Sequence, residues 1–132
     1  MGTVYFGVWV KDTNSPTATF DANGAVTVAV TPPSCQSVTA SANPASVPQG
    51  TPSTITAMAF GCTNANPQYE FWVRPASSST WTLARSWSTS GTFAWPSAGW
   101  PVGTVYIGVW VKDSASPTST FDANAATTVT VT

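Results

Sequence analysis

Apolar and polar residues alternate along several short segments of the chain, and this period of two is typical of β-strands with one buried face. The clearest segment is 104–112. The aliphatic side chains at every second position there are expected to face a core, and they are Val105, Ile107, Val109 and Val111. The intervening positions, which include Tyr106, Trp110 and Lys112, are expected to point away from it.

The same pattern, interrupted by turn residues, predicts seven strands in the C-terminal hundred residues. They are expected near 37–45, 53–61, 67–74, 80–88, 91–95, 104–112 and 125–132. Gly- and Pro-containing loops separate them, and no segment has a helical period. Seven short strands in about 100 residues predict an all-β, immunoglobulin-like sandwich.

A long internal repeat divides the chain. Residues 2–31 (the first copy) and 103–132 (the second copy) are identical at 23 of 30 positions, at an offset of 101 residues. That offset is about the length of one immunoglobulin-like domain. We therefore expect 1–31 to be the last strand pair of a preceding repeat and 32–132 to be a complete repeat.

The first copy is an additional hairpin, because the strands that precede such a hairpin occur only once. An isolated two-stranded hairpin is marginal in water, so it needs a partner. It can compete for its own domain, enter another molecule or pair with an exposed sheet edge; the alternative is a frayed remnant. The residues expected to carry assembly are Val4, Phe6, Val8, Trp9 and Val10, with Val105, Ile107, Val109 and Trp110 as their counterparts.

The two cysteines, Cys35 and Cys62, are predicted to meet. If the strands near 37–45 and 53–61 pair around a turn at 47–50, the numbers of paired residues sum to about 97, which places residue 35 opposite residue 62. A disulfide there would indicate an oxidising compartment. Two reduced thiols at a strand end are the alternative.

Composition excludes several classes of function. Charged residues make up 7% of the chain and the net charge is −1, so a nucleic-acid-binding surface is not expected. The chain has no histidine, which removes Ser-His-Asp catalysis and His-ligated zinc. No apolar run approaches the roughly 20 residues of a membrane helix, and no signal peptide is recognised. We expect no enzyme, no cofactor, no metal and no membrane insertion.

The segments CTNANPQYEFWV, GTVYIGVWVKD and FDANAATTVTVT resemble an immunoglobulin-like tandem repeat of large secreted and cell-surface proteins of environmental bacteria. The resemblance covers nearly all of 35–132, and again 2–31. It implies an extracellular sandwich with a cysteine pair at Cys35 and Cys62, and it implies no catalytic residues.

Other residues suggest binding or local structure. Trp72, Tyr106 and Trp110 are candidates for a sugar-stacking surface, with Trp81 and Trp87 as further members. Loop carboxylates and amides resemble loose calcium ligands in the first copy, namely Asp12, Asn14, Asp21 and Asn23; capping of turns is the preferred interpretation. Phe20 and Phe121 are expected to plug the open end of a sandwich. Cross-strand ion pairs are considered among Glu70, Arg74 and Lys112.

The sequence thus predicts a non-enzymatic structural or adhesive repeat, extracellular or at the cell surface. Its expected partners are copies of itself or neighbouring repeats, and it is expected to form fibres or arrays through complementation by residues 2–31. The alternative is a carbohydrate-binding module that recognises surface polysaccharide.

Overall fold

The computed structural model describes residues 2–132, and these form two compact units that divide between Pro32 and Pro33. Both units are built from β-strands. Among the described residues, no helix is long and apolar enough to cross a membrane.

The first unit is a single antiparallel hairpin. Its strands are β1 (Gly2–Val10) and β2 (Ala22–Val30), and they pair from Gly2↔Val30 to Val10↔Ala22 without a bulge. Residues 11–21 form the connecting loop. Every residue of both strands is exposed, since this two-stranded sheet pairs with no further strand in the described part of the chain.

The second unit contains eight strands. In chain order they are β3 (Ser37–Asn43), β4 (Ser46–Val47), β5 (Ser53–Phe60), β6 (Gln68–Pro75), β7 (Thr82–Ser88), β8 (Thr92–Trp95), β9 (Gly103–Lys112) and β10 (Ala123–Val131). They form a five-stranded sheet in the order β4-β10-β9-β6-β7 and a three-stranded sheet in the order β3-β5-β8. This all-β, sandwich-like arrangement confirms the predicted fold class and is consistent with an immunoglobulin-like fold.

The core between the two sheets consists of the side chains that alternation predicted. The second copy contributes Val105, Ile107, Val109, Val111, Val129 and Val131, all of them buried. Phe71 and Val73 of β6 lie beside them in the same sheet, and Ile55 of β5 and Trp95 of β8 join the cluster from the three-stranded sheet. The second copy therefore supplies a large share of the apolar interior.

One strand was missed by the sequence analysis. Residues 37–45 were expected to form one strand, but that strand ends at Asn43. The chain then changes sheets, and β4 pairs in parallel with β10 through Thr130↔Ser46 and Val131↔Val47. Two residues are too few to show an alternating pattern, although the side chain of Val47 is buried.

We call residues 33–102, which receive the second copy, the body.

Candidate functional site

The two copies of the repeat place the same side chains in opposite environments. Val109 is 0% exposed in the second copy, whereas its counterpart Val8 is 62% exposed in the first. Phe6, the counterpart of the buried Ile107, is 52% exposed. The apolar face that completes the sandwich in the second copy is therefore presented to solvent in the first copy.

Backbone pairing fixes the second copy along both of its edges. β9 pairs with β6 over eight residue pairs, from Gln68↔Lys112 to Pro75↔Val105. At the other edge, β10 pairs with β4, and the Gln49 N–H donates to the Thr132 carbonyl at 3.0 Å. In the first copy, β1 and β2 carry the equivalent edges without these partners.

Two loop aspartates attach the second copy to the body at the opposite end. Asp122 Oδ2 accepts a hydrogen bond from the Cys35 N–H at 3.0 Å. Asp113 Oδ2 accepts from the Asn64 N–H at 2.6 Å, and its Oδ1 accepts from Asn64 Nδ2 at 2.8 Å. These three donors belong to residues distant in sequence, so the carboxylates act as contacts between hairpin and body. We call the Cys35 N–H and the two Asn64 donors the donor socket.

The electrostatics of this contact favour the ionised carboxylate. The side-chain amide of Asn64 holds the pKa of Asp113 below its ordinary value, against the opposing effect of burial, and backbone N–H donors, including that of Asn64, add to the lowering. Asp113 is 1% exposed. The negative charge is thus stabilised by neutral donors, without a cationic partner.

The loop of the first copy has the same internal hydrogen bonds. Asp21 Oδ2 accepts from the Asp12 N–H at 2.7 Å, as Asp122 Oδ2 accepts from the Asp113 N–H at 2.7 Å. Asp12 Oδ1 accepts from the Asn14 N–H at 2.9 Å, which caps a turn. Hydrogen bonding to Ser15, and then to the Asp12 backbone, lowers the pKa of Asp21. These loop hydrogen bonds indicate that the carboxylates cap the turn, which was the preferred interpretation, rather than coordinate calcium.

The disulfide lies beside the donor socket. Cys35 and Cys62 are bonded, as the register argument predicted, and the β3–β5 pairs do sum to 97, as in Ser37↔Phe60. Cys35 itself supplies one donor of the socket, and Asn64 follows Cys62 by two residues. The bond therefore links the two chain segments that hold the loop aspartates.

A second candidate site is a groove on the outer face of the five-stranded sheet. It has a volume of about 460 Å³ and is lined by Trp72, Trp81, Gly108, Trp110, Asn124, Ala125 and Ala126. The Trp72 and Trp110 rings lie 5.4 Å apart, centroid to centroid. Trp81 lies over Gly108, where a Cβ would come within 3.3 Å of its ring. Of the residues that the structure describes, those that line the groove carry no charge.

Tyr106 lies outside this groove. The guanidinium of Arg74 covers the Tyr106 ring at 4.5 Å and also approaches Trp81 at 5.1 Å. Trp87, the other tryptophan considered for sugar binding, is covered by the Lys112 ammonium at 4.5 Å. The charged groups of Arg74 and Lys112 thus cover aromatic rings that were predicted to lie on an open face.

The expected ion pairs are replaced by other contacts. Glu70 was expected to be exposed, but it is 7% exposed and its Oε1 accepts a hydrogen bond from Trp72 Nε1 at 2.9 Å. Arg74 Nη1 donates to the Ser78 carbonyl. Glu70 points outward, as alternation predicts. It lies beside Trp72 and opposite Trp110, and such bulky rings can bury an acidic side chain even on the outer face of a sheet.

The two loop phenylalanines do not plug the end of a sandwich. Phe121 stacks on Trp110 at 4.8 Å, on the outward face of β9. Phe20 makes the same contact with Trp9, also at 4.8 Å, although the first copy has no sandwich to close. Each phenylalanine therefore folds back on its own hairpin.

No known protein-family model matches this chain, and neither a curated protein nor a solved structure matches it. Its function is therefore argued from its own geometry.

Proposed function

We propose that this chain is a non-enzymatic structural or adhesive repeat, and that its first copy completes a second body of the type formed by residues 33–102. The observation that carries this proposal is the contrast between Val8, which is exposed, and Val109, which is buried at the equivalent position. Moving one such side chain from water into a core contributes about 1.5–3 kcal/mol. Several of them act together on one face.

Chain length excludes docking of the first copy on its own body. Docking in the manner of the second copy would put Asp21 at Cys35 and Val30 at the place of Val131. These places are nine residues apart along one strand, or about 30 Å at a rise of about 3.3 Å per residue. The five residue steps from Val30 to Cys35 span at most about 18 Å. These distances support a partner other than the hairpin's own body.

The body that receives the first copy therefore belongs to another copy or to a neighbouring repeat. Such a contact is heterologous, since the hairpin of one molecule meets the body of the next, and it propagates into an open array. In the whole chain each body already holds its own second copy. Exchange then exposes one hairpin for each one it buries, so we expect strong assembly only where a body lacks its own hairpin.

The decisive experiment uses a chain that ends at Val102, which contains one first copy and one body. Because that hairpin cannot reach its own body, residues 1–102 are expected to grow into large assemblies, measured as light-scattering mass after size exclusion. The matched control is 1–102 with Val8→Asp, which keeps the body and the hairpin but places a charge on the apolar face that is proposed to dock, and it is expected not to form them.

The full chain sharpens this test. It can donate its first copy, but its body is occupied, so it should end a growing array and lower the mass of the 1–102 assemblies. Residues 33–132 have no hairpin to donate and should leave that mass unchanged. Equal behaviour of 1–102 and its Val8→Asp variant would overturn the proposal.

An extracellular or cell-surface location is part of the proposal. It is supported by the Cys35–Cys62 disulfide, because such bonds persist in oxidising compartments. The resemblance to tandem immunoglobulin-like repeats of bacterial surface proteins implies the same location.

A second candidate function is sugar binding in the groove formed by Trp72, Trp81 and Trp110. The rings offer apolar faces, and the exposed amide of Asn124 lies at the lining for a hydroxyl group. Trp72 Nε1 is already bonded to Glu70, so this indole offers its face rather than its donor. A neutral sugar fits a groove without charged lining better than an acidic one.

The test is tryptophan fluorescence during titration with cellohexaose, xylohexaose and a polygalacturonate oligomer. Trp81→Ala should remove a response to the neutral sugars, whereas Leu83→Ala, which alters an exposed residue outside the groove, should keep it. No response to any of the three would remove this candidate.

A further inference from the structure

The loop aspartates of the first copy are the second feature, besides its apolar face, that distinguishes this hairpin from an ordinary exposed one. In the second copy, the counterparts Asp113 and Asp122 bind the donor socket of the body. The repeat retains both aspartates, whereas Asn14 of the same loop is replaced by Ala115. The second copy shows that these two carboxylates can contact a body as well as cap the turn.

We propose that Asp12 and Asp21 are the recognition residues of the first copy, which select a body that presents a donor socket like that of Cys35 and Asn64. This inference rests on the proposed function. It adds that the partner must offer two backbone N–H groups and one side-chain amide at the end of its sandwich.

The first copy is preorganised for this contact. Its loop has the Ser15 N–H donating to the Asp12 carbonyl at 3.0 Å, and the second copy has the Ser116 N–H donating to the Asp113 carbonyl at 3.0 Å. The Asp21 N–H donates to the Val10 carbonyl, as the Asp122 N–H donates to the Val111 carbonyl. The aspartates are thus held by the same bonds whether or not a body is present, and docking requires little reordering of the loop.

The socket lacks a cation, and this makes the contact specific. A lysine or arginine would attract any acidic loop, whereas three N–H donors at fixed positions donate best to a carboxylate pair with the matching spacing. The Cys35–Cys62 disulfide fixes the two donor segments side by side. Recognition therefore depends on geometry more than on net charge, which is −1 for the chain.

The test is made on full chains. Asp113→Asn removes the carboxylate that the donor socket binds and weakens the hold of a body on its own second copy, so the first copy of another chain competes better for that body; this variant is the acceptor. Labelled wild-type chain is expected to bind this acceptor through its first copy, and Asp12→Asn/Asp21→Asn in the labelled chain should weaken that binding by about tenfold or more, since hydrogen bonds to charged groups are strong. Asn14→Ala, a change the second copy already contains, is the control and should bind like wild type.

The outcomes separate this inference from the function on which it rests. Growth of 1–102 assemblies with equal binding of the Asp12→Asn/Asp21→Asn chain would retain complementation and overturn the aspartate selection. Failure of 1–102 to assemble would overturn both. If the Asp113→Asn acceptor unfolds, the same pair of substitutions is made within 1–102. There a tenfold higher concentration should be needed for growth, and Asn14→Ala in the same chain is the control for an altered loop.

Discussion

The first and second copies are nearly the same sequence in two different environments. They agree at 23 of 30 positions and form the same hairpin with the same loop bonds, including the Phe–Trp stack at 4.8 Å. One copy is buried along its apolar face and the other is exposed along its whole length. Local sequence therefore determines the hairpin, whereas the body determines whether its alternating face becomes a core.

The different environments of the two copies can be tested with one equivalent substitution made in each copy. Val109→Asp buries a carboxylate in the core and is expected to unfold the second unit, a loss of about 4 kcal/mol or more. Val8→Asp alters an exposed face and should leave the unfolding midpoint of that unit unchanged. Urea unfolding followed by tryptophan fluorescence measures both.

The same pair of variants also reports on assembly. Within 1–102, Val8→Asp should stop growth of the array, because the docked position is apolar. A Val8→Asp chain that still assembles would show that the apolar face is not what docks. Thr3→Asp, at a position facing away from that face, is the matched control.

A second difference between the copies is the disulfide, which ties the body and is absent from the first copy. Replacing both cysteines with serine is expected to lower the stability of the second unit by about 3 kcal/mol, the entropy of a loop of this size in the unfolded chain. The serine variant keeps the backbone N–H of residue 35, so this donor of the socket is retained. Chemical unfolding of Cys35→Ser/Cys62→Ser against the oxidised chain gives the value, and unchanged stability would contradict it.

The pH dependence distinguishes a docked aspartate from an exposed one. Hydrogen bonds lower the folded-state pKa of Asp113. The ionised carboxylate therefore contributes to the stability of the second unit at pH values above the unfolded pKa of about 3.8. It is lost as the pH falls below about 4 and through the lowered pKa. Asp113→Asn should flatten the fall in stability in this range, whereas Asp21→Asn, in the exposed copy, should not. Identical pH profiles for wild type and Asp113→Asn would contradict the assigned contact.

Much of the fold could be predicted from alternation alone. The strand expected at 104–112 is Gly103–Lys112, and the predicted pairing sum of 97 is the observed register. These features are local or follow from one turn. β4 could not be found, because its two residues have no period and its position depends on β10, more than 80 residues away in sequence.

The candidate site was only partly predictable. The apolar face of the first copy follows directly from the repeat, and so do the two loop aspartates. Asn64, which binds Asp113 in the second copy, was not identified, because an uncharged amide in a loop gives no sign of what it will bind. The cover that Arg74 provides over Tyr106, a candidate for the sugar-stacking surface, could not be foreseen for a similar reason, since the position of that side chain is a matter of packing.

The smallest expected effect concerns the Phe–Trp stack that both copies share. Phe121→Ala removes a ring from Trp110 on the outer face of the sheet and should lower the stability of the second unit by about 1 kcal/mol. Trp110 also becomes more exposed, so its fluorescence should shift to longer wavelength. Phe20→Ala removes the equivalent ring from Trp9 and should give the same spectral shift with no change in that stability. A loss of several kcal/mol from Phe121→Ala would mean that this ring closes the core after all, and that the loop of the second copy differs from that of the first in more than its partners.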